Sequence, residues 1–272
     1  MIAKLLKHEW KANSGLLGVL SLSVAGISLL VTALLCFVES GVANLPAIVW
    51  VPVWVMIGGG FLAMAVYSVA VQIILLARFY KNKFTDEGYL TFTLPVTTHQ
   101  ILLSSLLNYV IWSVISVVVA IIGIGAPILA CMAQAGVLTN EFIEQFKMFM
   151  GVIFSENGVT EYTILLVVST VVSALASVML VHTAIALGAV LAKKHKILAA
   201  FGCYYGFSMI LSTISTVLTV GISLVDIAAT SQINAYWVMN SNLSLQMVIY
   251  AIVAVVGYFL SHHLMKNKLN LP

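Results

Sequence analysis

The chain has 272 residues, of which 62% are hydrophobic and 8% charged, with a formal net charge of +3. Soluble domains carry about 25% charged residues, so this composition excludes an ordinary water-soluble fold, and the small positive balance gives no reason to expect a nucleic-acid partner. The apolar runs are long and continuous, unlike the short alternating strands of a membrane barrel; backbone groups in lipid must pair within their own segment, so the expected class is an all-α integral membrane protein.

In chain order, residues 1–13 place Ile2, Leu5, Leu6 and Trp10 on one helical face, with Lys4, Lys7, His8 and Lys11 mostly elsewhere. This is the pattern of an amphipathic interfacial helix, and Asn13, Ser14 and Gly15 are expected to break it. No small-residue cleavage site follows a short apolar core, so the start does not read as a signal peptide. The first span is read at 16–38 and the second, after a short loop, at 48–78. The second is longer than about 30 Å of hydrocarbon requires and is expected to tilt or to project into the cytoplasm. Gly58, Gly59 and Gly60 inside it are read as a close helix contact in preference to a hinge.

A cytoplasmic loop at 79–100 precedes the third span at 101–131, which Pro127 is expected to bend. Residues 133–161 form the longest non-spanning segment and are read as extracellular. There Phe142, Ile143, Phe146 and Met150 recur at helical spacing after a cap at Asn140, which predicts a short amphipathic helix on the outer membrane surface. Asn157-Gly158 reads as a turn. The fourth span, 162–192, is closed by Lys193, Lys194, His195 and Lys196. The fifth, 197–225, ends at Asp226. A polar loop then reaches Asn242, with Tyr236 and Trp237 as interface aromatics. The sixth span is 243–265, followed by Lys266 and Lys268.

Six spans place both termini on one side. Eleven of the 12 Lys and Arg residues fall on that side, and only Lys147 on the other, which predicts cytoplasmic termini by the positive-inside rule. The three cysteines, Cys36, Cys131 and Cys203, lack the spacing of a metal site or disulfide framework. Neither HExxH nor a Walker-type phosphate loop occurs, so no enzyme activity and no nucleotide site is expected of this chain. His182 is the one titratable group well inside a span, and reads as a packed, hydrogen-bonded side chain. Hydroxyl and amide residues recur on single helical faces: Ser105, Asn108, Trp112 and Ser116 in the third span, Ser169, Ser173 and Ser177 in the fourth, and Ser208, Ser212, Ser215, Thr219 and Ser223 in the fifth. Each stripe alone reads as helix packing; together they make a pathway or subunit-seam lining credible, above all for the third- and fifth-span sets.

In the 79–100 loop, Arg78, Lys81 and Lys83 reach the headgroups, Thr85 or Asp86 can cap a short helix, Gly88 permits a tight turn, and Thr97 or Thr98 can cap the third span. Tyr89, Leu90, Phe92 and Leu94 are too apolar for a loop free in water. The stretch 86–107, DEGYLTFTLPVTTHQILLSSLL, resembles the conserved loop of type-2 exporter-class ABC transporter permeases, with matching positions at Glu87, Gly88, Leu90, Leu94, Pro95, Val96, Thr97, Ile101 and Leu102. Ser104 and Ser105 stand where members often carry Lys. The plan of the chain is similar too: an amphipathic N-terminal helix, six spans and no nucleotide-binding domain.

The resemblance implies a membrane-spanning permease subunit in the bacterial plasma membrane, with a cytoplasmic coupling helix between spans two and three. A separate ATPase subunit would bind ATP and Mg²⁺, and a second permease copy or a paralogue would complete the transporter. Asp86, Glu87, Gly88, Tyr89, Leu90, Phe92, Leu94 and Pro95 would form the ATPase contact, and the cargo would be peptide-, lipid- or drug-like. The alternatives are an ABC-linked subunit for antimicrobial-peptide immunity or sensing, and a secondary carrier.

Overall fold

The structure is a computed structural model that describes residues 1–39, 47–93, 95–153, 159–192, 194–230 and 235–267. The turn at Asn157-Gly158, the loop after the first span, Lys193 and Lys268 lie outside the described residues. These contain eight helices and no strand: α1 (Ile2–Glu39), α2 (Ala47–Phe84), α3 (Asp86–Phe92), α4 (Thr98–Gln134), α5 (Asn140–Ile153), α6 (Val159–Leu191), α7 (Lys196–Thr230) and α8 (Ala235–Asn267). Six of them, α1, α2, α4, α6, α7 and α8, are long and apolar enough to cross a membrane. The chain divides into two compact units: Met1–Phe79 with Leu103–Phe149, and Tyr80–Leu102 with Met150–Pro272.

In the first unit α1, α2 and α4 are joined by small residues and hydroxyls, the usual means of helix association in lipid. A side chain at Gly60 of α2 would overlap Val31 of α1, and one at Gly123 of α4 would press on Val24 at 3.1 Å. Of the three consecutive glycines only Gly60 makes the expected close contact; Gly58 and Gly59 face open space. Ser21 Oγ and Tyr67 Oη are 2.7 Å apart, Ser28 Oγ donates to the Gly123 carbonyl at 2.8 Å, and Ser113 Oγ donates to Gln72 Oε1 at 3.2 Å.

The expected break at Asn13, Ser14 and Gly15 does not occur. α1 is one helix of 38 residues, about 57 Å long at the α-helical rise. Asn13 is buried, Ser14 Oγ donates back to Lys11 O at 3.1 Å, and Arg78 donates to the Ala12 carbonyl at 2.5 Å. Ser14 is thereby satisfied inside the helix, whereas Asn13 Oδ1 is buried without a hydrogen-bond partner among the described residues. α4 likewise continues through the buried Pro127 to Gln134. It ends in a Schellman motif: Gly136 has φ +66°, Gly136 N–H bonds to Ala133 O, and Val137 N–H bonds to Met132 O at 3.0 Å. α5 starts where the sequence places it, but its cap is Thr139 and not Asn140, since Thr139 Oγ1 accepts from Phe142 N–H at 3.2 Å.

In the second unit α6 packs against both α7 and α8, which touch each other less. Gly188 of α6 admits the backbone of Ala200 in α7 so closely that any side chain there would overlap it. On the other face of α6, Thr183 Oγ1 lies 3.0 Å from Gly257 O and 2.9 Å from Ser261 Oγ of α8. The polar segment before the sixth span is not a loop in its last part, because α8 already begins at Ala235. Its polar residues are held within the helix pair: Asn242 Oδ1 accepts from Thr219 Oγ1 of α7 at 3.0 Å and from Gln246 Nε2 at 3.2 Å.

Candidate functional site

Two features of the second unit stand out: the short helix α3, and a cavity among α6, α7 and α8. α3 has seven residues and starts after Thr85, whose extended φ and ψ of −119° and −171° suit an N-cap. Its hydroxyl bonds back to Lys81 O instead of capping α3, so the first turn is completed by Gly88 N–H to Thr85 O at 2.8 Å. Asp86 and Glu87 occupy that turn, where a helix dipole favours negative charge. Glu87 also meets Lys81 at 2.8 Å, an ion pair well exposed on both sides and therefore weak.

Gly88 is the buried residue of α3 and sets it against the unit. Phe92 is half-buried, whereas Tyr89 and Leu90 are 64% and 72% exposed. Asp86, Glu87 and Pro95 are exposed as well; Leu94 lies outside the described residues. α3 thus presents an apolar pair beside two carboxylates. After α3 the chain enters α4 through a capping box: Gln100 N–H bonds to Thr97 Oγ1 at 3.3 Å, and Thr97 N–H to Gln100 Oε1 at 3.4 Å. Within this first turn, His99 Nδ1 is hydrogen-bonded to Tyr258 Oη of α8.

The hydroxyl stripes do not share one fate. Ser105, Asn108, Trp112 and Ser116 of α4 are all buried in the first unit. Ser105 Oγ donates to Glu9 Oε1 at 2.7 Å, Trp112 stacks on Trp10 with ring centroids 4.7 Å apart, and Ser116 Oγ donates to Ser113 O at 2.8 Å. Ser105 and Trp112 thus hold α1 against α4, while Ser116 bonds within its own helix and Asn108 Oδ1 is buried without a hydrogen-bond partner among the described residues. In α6, Ser169 and Ser173 bond to carbonyls of the preceding turn. His182 is fully buried and its Nδ1 sits 2.7 Å from Val178 O, as expected of a packed histidine.

The α7 stripe is different. Ser208, Ser212, Ser215 and Thr219 line a cavity of about 460 Å³, with Ser177 of α6 on its wall. Gln246 and Tyr250 of α8, together with Tyr204 and Thr216 of α7, complete its polar surface, and Leu180, Leu211 and Val220 supply the apolar part. None of the described lining residues is charged. A periodic reading of one helix finds the serines; it misses Tyr204, Gln246 and Tyr250, which join them only once α6 sets α7 and α8 apart. A glutamine inside an apolar run was the one available signal. Among the described residues no group of three or more His, Cys, Asp or Glu side chains could hold a metal ion.

Comparison with protein-family models, with curated proteins and with solved structures yields no match.

Proposed function

We propose that the chain is the membrane-spanning subunit of an ATP-driven exporter of the ABC type-2 class, seated in the bacterial plasma membrane with both termini cytoplasmic. The chain performs no bond chemistry of its own; a separate ATPase subunit binds ATP and Mg²⁺, and a second permease copy or a paralogue completes the pathway. α3 carries the reading. A seven-residue helix between two long apolar helices, with Tyr89 and Leu90 uncovered beside Asp86 and Glu87, suits insertion into a protein groove. Burying one large apolar side chain is worth about 1.5–3 kcal/mol, so Leu90 and Tyr89 supply affinity while the carboxylates set orientation against basic groups. Arg78, Lys81 and Lys83, which precede α3 in the sequence, and the eleven-to-one distribution of basic residues support a cytoplasmic position for it.

The test is co-purification, from membranes, of an ABC ATPase encoded beside this chain. Wild type should retain it, and a Glu87→Lys, Leu90→Asp double variant present at equal membrane levels should lose at least tenfold. Failure of wild type to retain the ATPase would remove the exporter reading and favour a secondary carrier.

A further inference from the structure

On the same α7 helix, serine and threonine hydroxyls behave in two ways. Thr213, Thr216 and Ser223 donate to carbonyls of the preceding turn, at 2.9–3.0 Å, and the Thr219 hydroxyl is shared between Ser215 O and Asn242 Oδ1. That bond satisfies a hydroxyl in an apolar medium. Ser208, Ser212 and Ser215 make no such bond, nor any other among the described residues, and all three open into the α6–α8 cavity. Gln246 gives its Nε2 to Asn242, which leaves its Oε1 as an acceptor at the cavity wall. The site therefore offers hydroxyl donors and an amide acceptor, without a charged group.

The free hydroxyls fall at i, i+4 and i+7, a ladder about 10 Å long at the helical rise. Ser212 is midway along the apolar stretch Lys196–Ala228. An unpartnered hydroxyl in hydrocarbon costs free energy, so lipid tails are poor occupants. A charged ligand would find no counter-charge. An extended peptide advances about 3.3 Å per residue and turns alternate carbonyls to one side, so three to four residues match the ladder, with two carbonyls for the serines and an N–H for Gln246. The cavity lies within the volume range of ligand sites, about 300–1,000 Å³.

We infer that this cavity binds an extended, uncharged stretch of peptide through its backbone, with apolar side chains against Leu180, Leu211 and Val220. The inference rests on the exporter reading for its place in transport, and makes the cavity a cargo subsite within one subunit; as a binding claim it is tested without the ATPase.

The probe is the blocked peptide acetyl-Leu-Ala-Bpa-Ala-Leu-amide, Bpa being the photoreactive benzoylphenylalanine. It is cross-linked to the full chain in lipid nanodiscs and its attachment sites are mapped by mass spectrometry. Labelling should saturate, be displaced by the same peptide without Bpa, and map to α6, α7 and α8 around Ser212. Half-saturation should rise at least tenfold in the S208A/S212A/S215A triple variant. Serine-to-alanine changes raise helix propensity, so this variant keeps its helices. Leu211→Trp, which fills the cavity, should abolish displaceable labelling; Thr213→Ala, outside it, should leave it unchanged.

Unsaturable labelling, or equal labelling of wild type and the triple variant, overturns the inference. Displacement by a lysophospholipid as effective as by peptide reassigns the cavity to lipid. A disulfide-linked dimer of Ser212→Cys that forms without peptide and blocks labelling reassigns it to a second copy of the chain. ATPase capture through α3 is read separately: loss of peptide binding with capture intact refutes only the cavity, and the reverse refutes only the exporter.

Discussion

A glycine in a membrane helix is silent in the sequence about its purpose, and three of them here have three different purposes. Gly58 faces open space, Gly60 faces the Val31 side chain, and Gly188 faces the Ala200 backbone. Alanine at Gly58 gains helix propensity, about 1 kcal/mol at most, and meets nothing. At Gly60 the same gain is opposed by a γ-methyl of the buried Val31, a side chain and not main chain. At Gly188 the obstacle is main chain, and relief requires α6 and α7 to separate, an overpacking cost of about 1–3 kcal/mol. Thermal unfolding of the three variants in one detergent should therefore rank Gly58→Ala at or above wild type, Gly60→Ala lower and Gly188→Ala lowest. A Gly188→Ala protein as stable as wild type would refute the close α6–α7 contact. The sequence marks the glycine triplet as a packing site, but which residue packs depends on which face of α2 meets α1. The cap of α5 shows the same limit: Thr139 and Asn140 are both good caps, and helix phase selects the first.

The elements were more legible than their ends. Six apolar runs became six long helices, and each extends beyond at least one of its sequence boundaries because hydropathy marks the lipid-facing centre and not the polar turns that continue from it. Asn13 to Gly15 and 235–242 are two such continuations, read from composition as a break and a loop and helical in the structure, with tertiary hydrogen bonds at the adjoining Ala12 and at Asn242. α5 was legible because its apolar positions follow a helical period and a cap precedes them. Its Phe146 is 54% exposed, while Glu144 and Lys147 pair at 2.9 Å. An exposed phenylalanine on a 14-residue helix fits a helix lying in the membrane interface. In proteoliposomes, a membrane-impermeant maleimide should modify Phe146→Cys at least fivefold more slowly than Glu144→Cys. Equal rates would place α5 in water, away from the lipid.

For the molecule as a whole, the division of labour between hydroxyl stripes follows the two units. The first unit turns Ser21, Ser28, Ser105 and Ser113 onto neighbouring helices; the second leaves three hydroxyls facing a cavity and also holds α3. The proposed docking helix and the proposed cargo subsite therefore belong to one compact body, joined in sequence through the capped start of α4 and in space through the His99–Tyr258 bond to α8. Both proposals depend on sidedness. Under the proposed topology an even number of spans would set the two termini on one side, and the distribution of basic residues argues for the cytoplasm, since moving Lys or Arg across the bilayer is disfavoured during insertion. Single cysteines at Lys4, Lys194 and Lys266 should react with an impermeant maleimide only after the membrane is opened, and cysteines at Leu138 and Glu141 should react in intact cells. One inverted pair would exclude six alternating spans. A full inversion would retain the helices but set α3 outside the cell, where no ATPase could reach Leu90, and the exporter reading would fall with it.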